Sequence, residues 1–300
     1  MSRDETSGAA PDPAGARAMP NDPASRIAFQ GELGAFSHQA CAEVFPEMTP
    51  LPCPTFEEAI AAVKGGDARL AMLPVENSTY GRVADIHHLL PESGLYIIGE
   101  HFLPIHLQLL ALPGARLEDI REAQSHTVAL GQCRRFLKDR AIKPVTGGDT
   151  AGSAHQVADK GDPHRAAIAS RLAGDIYGLS VVAEDIEDAS HNTTRFLVCS
   201  RQRIEADPHG GAAITTIVFQ VRNVPAALYK AMGGFATNGV NMIKLESYMV
   251  DGSFTATRFY ADIEGHPEHA PVRRALEELA FFTTDLRVLG TYPAAPFRGL

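Results

Sequence analysis

Cysteine is scarce in this sequence of 300 residues, with four in all. Cys41, Cys53, Cys133 and Cys199 include no C-x-x-C pair and no zinc-ligand spacing. That argues against a disulfide framework or a cysteine metal centre and suits reduced thiols in the cytoplasm. There is no run of about 18 apolar residues, the minimum for a membrane helix. The first 25 residues lack the apolar segment of a secretory signal. Rich in Pro, Ala, Gly and Asp, they suit a disordered tail. Positive charge is also short: 27 Lys and Arg face 36 Asp and Glu, a net −9. This disfavours a general nucleic-acid or anionic-membrane binder. It leaves room for a small anionic ligand, because a few local arginines can dominate a cleft. No Walker loop, metal cluster or nucleophile–base pair is visible, so no cofactor is expected.

What is present is an ordinary globular composition, 45% hydrophobic and 21% charged, long enough for two or three domains. From Arg26 onward, short apolar runs alternate with helical patterns. "RIAFQG" is a strand and "GAFSHQACAEVF" a helix. "TFEEAIAAVKGG" is a helix capped by Thr55, with Glu58 three residues on and Gly65 and Gly66 ending it. The alternation predicts an α/β fold with mainly parallel sheets. Two similar runs, about 26–102 and 103–188, predict two lobes. The strand "RFLVCS" crosses back to the first, so residues 190–195 form a hinge or cleft segment. In the second run "HTVAL" is expected as a strand, opened by Ser125 and His126, with Gln132 starting the next helix.

Residues 201–212 look like a linker. The order beyond them is strand, helix (with Pro225 in its first turn), two strands, helix, strand. That is the βαββαβ, ferredoxin-like arrangement, over 213–292, leaving 293–300 as a C-terminal tail.

Four polar clusters sit at strand ends, where open α/β sheets bind ligands. "FQGELGAFSHQA" brings Gly31, Gly34 and Ser37 to a helix N-terminus suited to an anion. It lacks a dinucleotide fingerprint. "LPVENSTYGRV" places Glu76, Asn77, Ser78 and Thr79 after a buried strand. "QSHTVALGQC" offers Ser125, Gln132 and His126, an imidazole able to act as acid or base. "SHNTTRFLV" supplies Asn192, Thr193, Thr194 and the planar fork of Arg195, which matches a carboxylate. Each cluster also has a bland reading as a turn, a cap or a surface pair. Together they suggest a small polar or anionic metabolite held between two lobes.

In this order the clusters resemble those of the prephenate dehydratase family: "GELGAFSHQA", "LPVENSTYG", "SHTVALGQC" and "HNTTRFLV" over 26–200, with 213–292 resembling its C-terminal ACT regulatory domain. The resemblance implies a two-lobed fold like type II periplasmic binding proteins, conversion of prephenate to phenylpyruvate without a cofactor, and feedback inhibition by phenylalanine. A homodimer or homotetramer is also implied. Carried over residue by residue, Thr194 becomes the catalytic group. Arg195 becomes the carboxylate partner, with Asn77, Ser125 and Gln132 as polar cleft residues. Ser37, Glu76, Ser78 and Thr193 become walls, and the amide near Gly34 an anion donor. His126 competes as proton donor. Asn223, Ala226, Ala227, Leu228, Glu246 and Ser247 would cradle phenylalanine. Here the sequence departs from the family: Ala226 stands where Gly is usual, and Tyr248 and Met249 replace Arg and Pro. Two alternatives are arogenate dehydratase and a non-catalytic small-molecule sensor.

Overall fold

A computed structural model describes residues 22–189, 191–249 and 256–300. Residues 1–21 of the expected tail and Ser190 of the expected hinge lie outside the described residues. Asp22, placed in the tail by sequence, caps a 3-10 turn over Pro23–Ser25.

The first lobe contains β1 (Arg26–Gln30), α1 (Phe36–Val44), β2 (Thr49–Cys53), α2 (Phe56–Gly65), β3 (Leu70–Asn77), β4 (Gly81–Arg82), α3 (Ala84–Ser93) and β5 (Tyr96–Pro104). The second contains β6 (Gln108–Ala111), β7 (Glu122–Ser125), α4 (Thr127–Gln132), α5 (Arg134–Asp139), β8 (Lys143–Thr146), α6 (Thr150–Lys160), β9 (Arg165–Ala169), α7 (Arg171–Tyr177) and β10 (Ser180–Ala183). β11 (Thr193–Ser200) returns to the first. The first sheet has the order β2-β1-β3-β11-β5, with β4 on β3, and the second the order β10-β6-β9-β7-β8. Where the chain leaves and re-enters the first lobe, the two crossings are tied by Ile105 N–H donating to the Asn192 carbonyl at 2.8 Å.

Both sheets are mixed, a correction to the parallel expectation. β1 pairs parallel with β2 and β3, and β7 with β8 and β9, while β11 runs antiparallel to β3 and β5, and β6 to β9 and β10. In the first sheet the cause is β11: its return sets its first residues beside the last residues of β3, with Thr194 opposite Asn77, and in the second the antiparallel strand is β6. A second correction concerns "HTVAL". Ser125 ends a strand, and His126 Nδ1 accepts from the Val128 N–H to cap a helix that closes on Gln132. An imidazole cap overrides the strand propensity of a short apolar run.

Local chemistry accounts for the helix ends. Thr55 Oγ1 accepts from Glu58 N–H to start α2, and Gly66 stops it in the left-handed region at φ 89°. Asp149 caps α6 through the Gly152 N–H at 2.6 Å, and Ser170 caps α7 through that of Ala173.

The C-terminal unit contains β12 (Ala213–Val221), α8 (Ala227–Thr237), β13 (Met242–Met249), β14 (Ala256–Glu264), α9 (Ala270–Phe282) and β15 (Thr283–Pro293). Its antiparallel sheet has the order β13-β14-β12-β15, that of βαββαβ. Pro225 precedes α8 rather than lying in its first turn, because Ala226 takes a left-handed φ of 63° before the helix begins.

Strand alternation sorts the first lobe's residues to two faces. Ile27, Phe29, Met72, Phe196 and Val198 pack towards α1 and the second lobe. Leu73, Val75, Leu197 and Cys199 pack with α2 and α3 and with Ile214, Tyr260 and Tyr292 of the C-terminal sheet. That sheet therefore covers the back of the first lobe. Gly290 sits where β15 meets β5, and a Cβ there would run into the Ile97 carbonyl oxygen. Residues 296–298, expected as tail, fold back: Arg298 bonds both oxygens of Glu100, and Phe297 stacks on Phe102.

Candidate active site

A cavity of about 410 Å³ opens between the lobes. Its polar floor comes from Asn77 at the end of β3 and Thr194 at the start of β11, and its walls include Ser37, His126, Gln132 and Thr150. Phe36, Ile105, Leu107 and Phe196 add an apolar surface.

Asn77 organises the floor. Its Oδ1 accepts from Thr79 N–H at 2.9 Å and Tyr80 N–H at 3.0 Å, shaping the turn that follows β3. Its Nδ2 donates to Thr194 Oγ1 at 2.9 Å and to Asn192 Oδ1 at 2.7 Å. All the polar capacity aimed at the turn and floor is thus used inside the protein, which fixes the amide's orientation. Thr194 Oγ1 receives the Asn77 bond, so its own proton remains available to an acceptor in the cavity. His126 accepts at Nδ1, which places the neutral imidazole's proton on Nε2.

Several residues expected in the cleft are elsewhere. Arg195 is 2% exposed and turned to the other face of β11. Its Nε donates to Glu100 at 2.8 Å, its Nη1 to Glu76 at 2.9 Å and Asp262 at 2.6 Å, and its Nη2 to the Tyr292 hydroxyl at 2.9 Å. Burial works against its charge, but Tyr292, Asp262, Tyr260 and Glu100 together hold its pKa above the ordinary arginine value. This corrects the carboxylate-partner assignment: a guanidinium already shared among three carboxylates and a phenol has no edge towards the cleft. Glu76 is likewise turned away. The register of β11 on β3 shifts between Arg195, opposite Glu76, and Phe196, opposite Pro74, leaving Val75 as an extra residue. That bulge re-aims Glu76 from the cleft towards Arg195 and Lys244, with which it forms ion pairs. Burial alone raises the Glu76 carboxyl pKa, but Lys244 and Arg195 outweigh it and the net shift is downward.

Ser125, the last residue of β7, is fully buried, its hydroxyl donating to the Ile168 carbonyl of β9 at 2.6 Å, so it does not reach the cleft. Ser78 donates to the His191 carbonyl and accepts from Thr193 N–H, so these two residues staple the returning chain rather than face ligand. Gly34 donates its N–H to His38 Nδ1 at 2.9 Å, and its carbonyl accepts from Ser170 of the second lobe at 2.5 Å. With an added Cβ 2.7 Å from Ala173 Cα, Gly34 serves close approach of the lobes, not anion capture. Glu76, Ser78, Thr193 and Arg195 border a smaller cavity of about 270 Å³ behind the floor, shared with Glu246 and Phe297.

Tyr80, Arg82 and Thr150 also line the cleft, though none of them is among the site residues expected from sequence. Tyr80 spans the cleft mouth, its hydroxyl donating to the Val128 carbonyl at 3.3 Å. Arg82 borders both cavities. Both lie in the "ENSTYGR" turn, whose Asn–Ser–Thr run and Gly81 were the available signal.

Of the residues expected to cradle phenylalanine, Asn223, Ala226, Ala227 and Leu228 lie around the α8 N-terminus. Glu246 and Ser247, on β13, are instead tied to the first lobe by Arg82 Nη1, at 3.3 Å to Glu246 Oε2 and 3.2 Å to the Ser247 carbonyl. Among the described residues no hydrogen bond joins the two groups.

Residues 27–204, well over half of the chain, match the family described as prephenate dehydratase. The chain belongs to the prephenate dehydratase family. A bifunctional N-acyl-homoserine lactone acylase/prephenate dehydratase of Komagataeibacter europaeus is 52% identical over 272 residues, 91% of this chain and 97% of the relative. An arogenate dehydratase/prephenate dehydratase of Arabidopsis thaliana is 36% identical over 91% of this chain and 73% of its own length. The crystal structure of prephenate dehydratase in complex with L-Phe from Arthrobacter aurescens superposes with a TM-score of 0.83, at 33% identity and 90% coverage of both chains. Prephenate dehydratase activity and the lyase class follow from these matches. Among the described residues no helix is long and apolar enough to cross a membrane.

Proposed function

We propose that the cleft converts prephenate to phenylpyruvate with Thr194 as the proton-donating group at the departing hydroxyl. The ring carboxylate leaves as CO2, its C–C electron pair enters the ring, and the C–O pair leaves with the oxygen, which takes one proton to become water. The forming aromatic ring accepts the electrons, so the residues need only assist the oxygen. A threonine hydroxyl is too weak an acid to transfer its proton early. Its hydrogen bond strengthens as charge builds on the leaving oxygen, and the Asn77 bond to the same hydroxyl polarises it further. The observation that carries this reading is the 2.9 Å Asn77–Thr194 bond on the cavity floor, which leaves the Thr194 proton to the ligand.

Prephenate is favoured over arogenate because no Asp or Glu is among the described residues lining the larger cavity, so an ammonium would lack a charged partner. A side-by-side assay of both substrates tests this, and equal kcat/KM would refute it. For Thr194→Val, kcat falls about a hundredfold or more with little change in KM. An unchanged kcat removes Thr194 from the chemistry. In that event His126 is the donor, and His126→Gln removes an ionisation from the pH–rate profile.

A second reading rests on the acylase named for the Komagataeibacter relative and on the apolar cleft wall. No hydrogen bond joins a cleft hydroxyl to an imidazole among the described residues, so the geometry supports dehydration better. Release of free homoserine lactone by the purified chain would reverse that order.

The βαββαβ unit is read as an ACT domain that lowers activity when phenylalanine binds near the α8 N-terminus and Glu246. The phenylalanine complex of the Arthrobacter relative supports this, and a phenylalanine titration of the assay tests it. A cytoplasmic homodimer or homotetramer is supported by four buried free cysteines and by exposed Tyr229 and Phe281 on the C-terminal helices, and light scattering measures it.

A further inference from the structure

We propose that Arg82 captures the pyruvyl carboxylate of the substrate, and that Glu246 of the C-terminal unit competes for the same guanidinium. The inference rests on the prephenate reading. That substrate carries two carboxylates, and Arg195, the expected partner, is spent on Glu76, Glu100 and Asp262. Lys244 is held by Glu76. Among the described residues lining the larger cavity, Arg82 is the sole lysine or arginine.

The backbone delivers Arg82 there. The Asn77 side chain shapes the turn, Gly81 takes a left-handed φ of 80°, and β4 then sets Gly81 opposite Asn77 and Arg82 opposite Glu76. The guanidinium therefore stands on the boundary between the cleft and the cavity behind it. It engages the C-terminal unit through Nη1 alone among the described residues, leaving Nε and Nη2 as an edge that matches a carboxylate. The ion pair with Glu246 is long, at 3.3 Å, with Arg82 42% and Glu246 31% exposed. Such pairs are weak and exchange partners readily.

The carboxylate Arg82 holds is the one retained in the product. A cation on the departing carboxylate would stabilise the ground state and slow CO2 loss. Glu246 on Nη1 and the substrate on the Nε–Nη2 edge put two like-charged carboxylates on one guanidinium, so a tighter Arg82–Glu246 pair means weaker substrate binding, and the reverse holds by linkage.

The test is steady-state kinetics with prephenate, together with calorimetric binding of phenylpyruvate, on the full chain and on Arg82→Gln, Arg82→Lys and Glu246→Gln. In Arg82→Gln, KM and the phenylpyruvate dissociation constant rise together by about tenfold or more, the loss of the charge-assisted fork, while kcat changes less than about threefold. Arg82→Lys falls between the two, keeping charge but losing the fork, and Glu246→Gln binds substrate more tightly than the parent. A phenylpyruvate affinity within about twofold of the parent in Arg82→Gln overturns the carboxylate assignment. A KM in Glu246→Gln equal to or above the parent's overturns the competition. The calorimetric arm needs no turnover. A parent chain that binds phenylpyruvate through Arg82 but fails to turn over prephenate refutes the functional reading and leaves the carboxylate assignment standing.

Discussion

Replacing Arg195 by methionine separates the two roles this residue can have. In the structure three cations, Arg195, Lys244 and Arg298, face three carboxylates, Glu76, Glu100 and Asp262. The side chains of Glu100 and Asp262 have no exposure, whereas that of Glu76 is 32% exposed and can recover water. Without Arg195, Glu100 keeps Arg298 and the Ala295 N–H. Asp262 keeps the Thr216 hydroxyl at 2.6 Å as its side-chain partner. The damage therefore concentrates on Asp262, a dry carboxylate left without its cation. Removing one partner of a buried pair costs about 3–5 kcal/mol. With unfolding entropy scaling with chain length, that corresponds to a fall in Tm of roughly 5–8 °C. Adding Asp262→Asn removes the stranded charge and recovers part of the loss, a coupling that a double-mutant cycle by calorimetry measures. Were Arg195 a substrate ligand, the methionine variant would keep its Tm within about 2 °C and raise KM, and that result refutes the buried-hub reasoning.

Three further outcomes follow from named contacts. Gly290→Ala drives a methyl into the Ile97 carbonyl oxygen, so β15 lifts from β5; stability falls by about 1–3 kcal/mol, and residues 201–212 become more sensitive to limited proteolysis. His87, buried between α3 and Tyr260 of the C-terminal sheet, has its pKa lowered below 6.5, chiefly by burial. Its neutral form is the folded one, so its contribution is complete above pH 6.5 and is lost as pH falls through the lowered value; His87→Gln flattens the melting temperature against pH in that window. Asn77→Ala removes the donor to Thr194 and the acceptor for the Thr79 and Tyr80 amides, so it lowers kcat by about tenfold or more, as stopped-assay phenylpyruvate yields will show.

The alternation of apolar runs and helical patterns, the Thr55 cap and the βαββαβ order all rest on local chemistry, and local chemistry is written in neighbouring residues. So were the polar strand ends: Asn77, Thr194, His126, Gln132 and Ser37 all border one cavity. The sequence could not say which way a strand residue points once a bulge interrupts the alternation. Val75 supplies that interruption, and it turns Glu76 from the cleft to the interface. Nor could it count partners. Arg195 beside Thr194 suits a ligand carboxylate until the fold brings up Glu100 and Asp262, 95 and 67 residues away in sequence, and occupies its fork. Arg82 is the converse, an unremarked residue in a turn that becomes the cleft's cation because its rivals are buried elsewhere. Residue types and spacing determined that a polar cleft exists. Long-range packing decided which charges in it remain free, because a charge is available only when nothing else in three dimensions has already neutralised it.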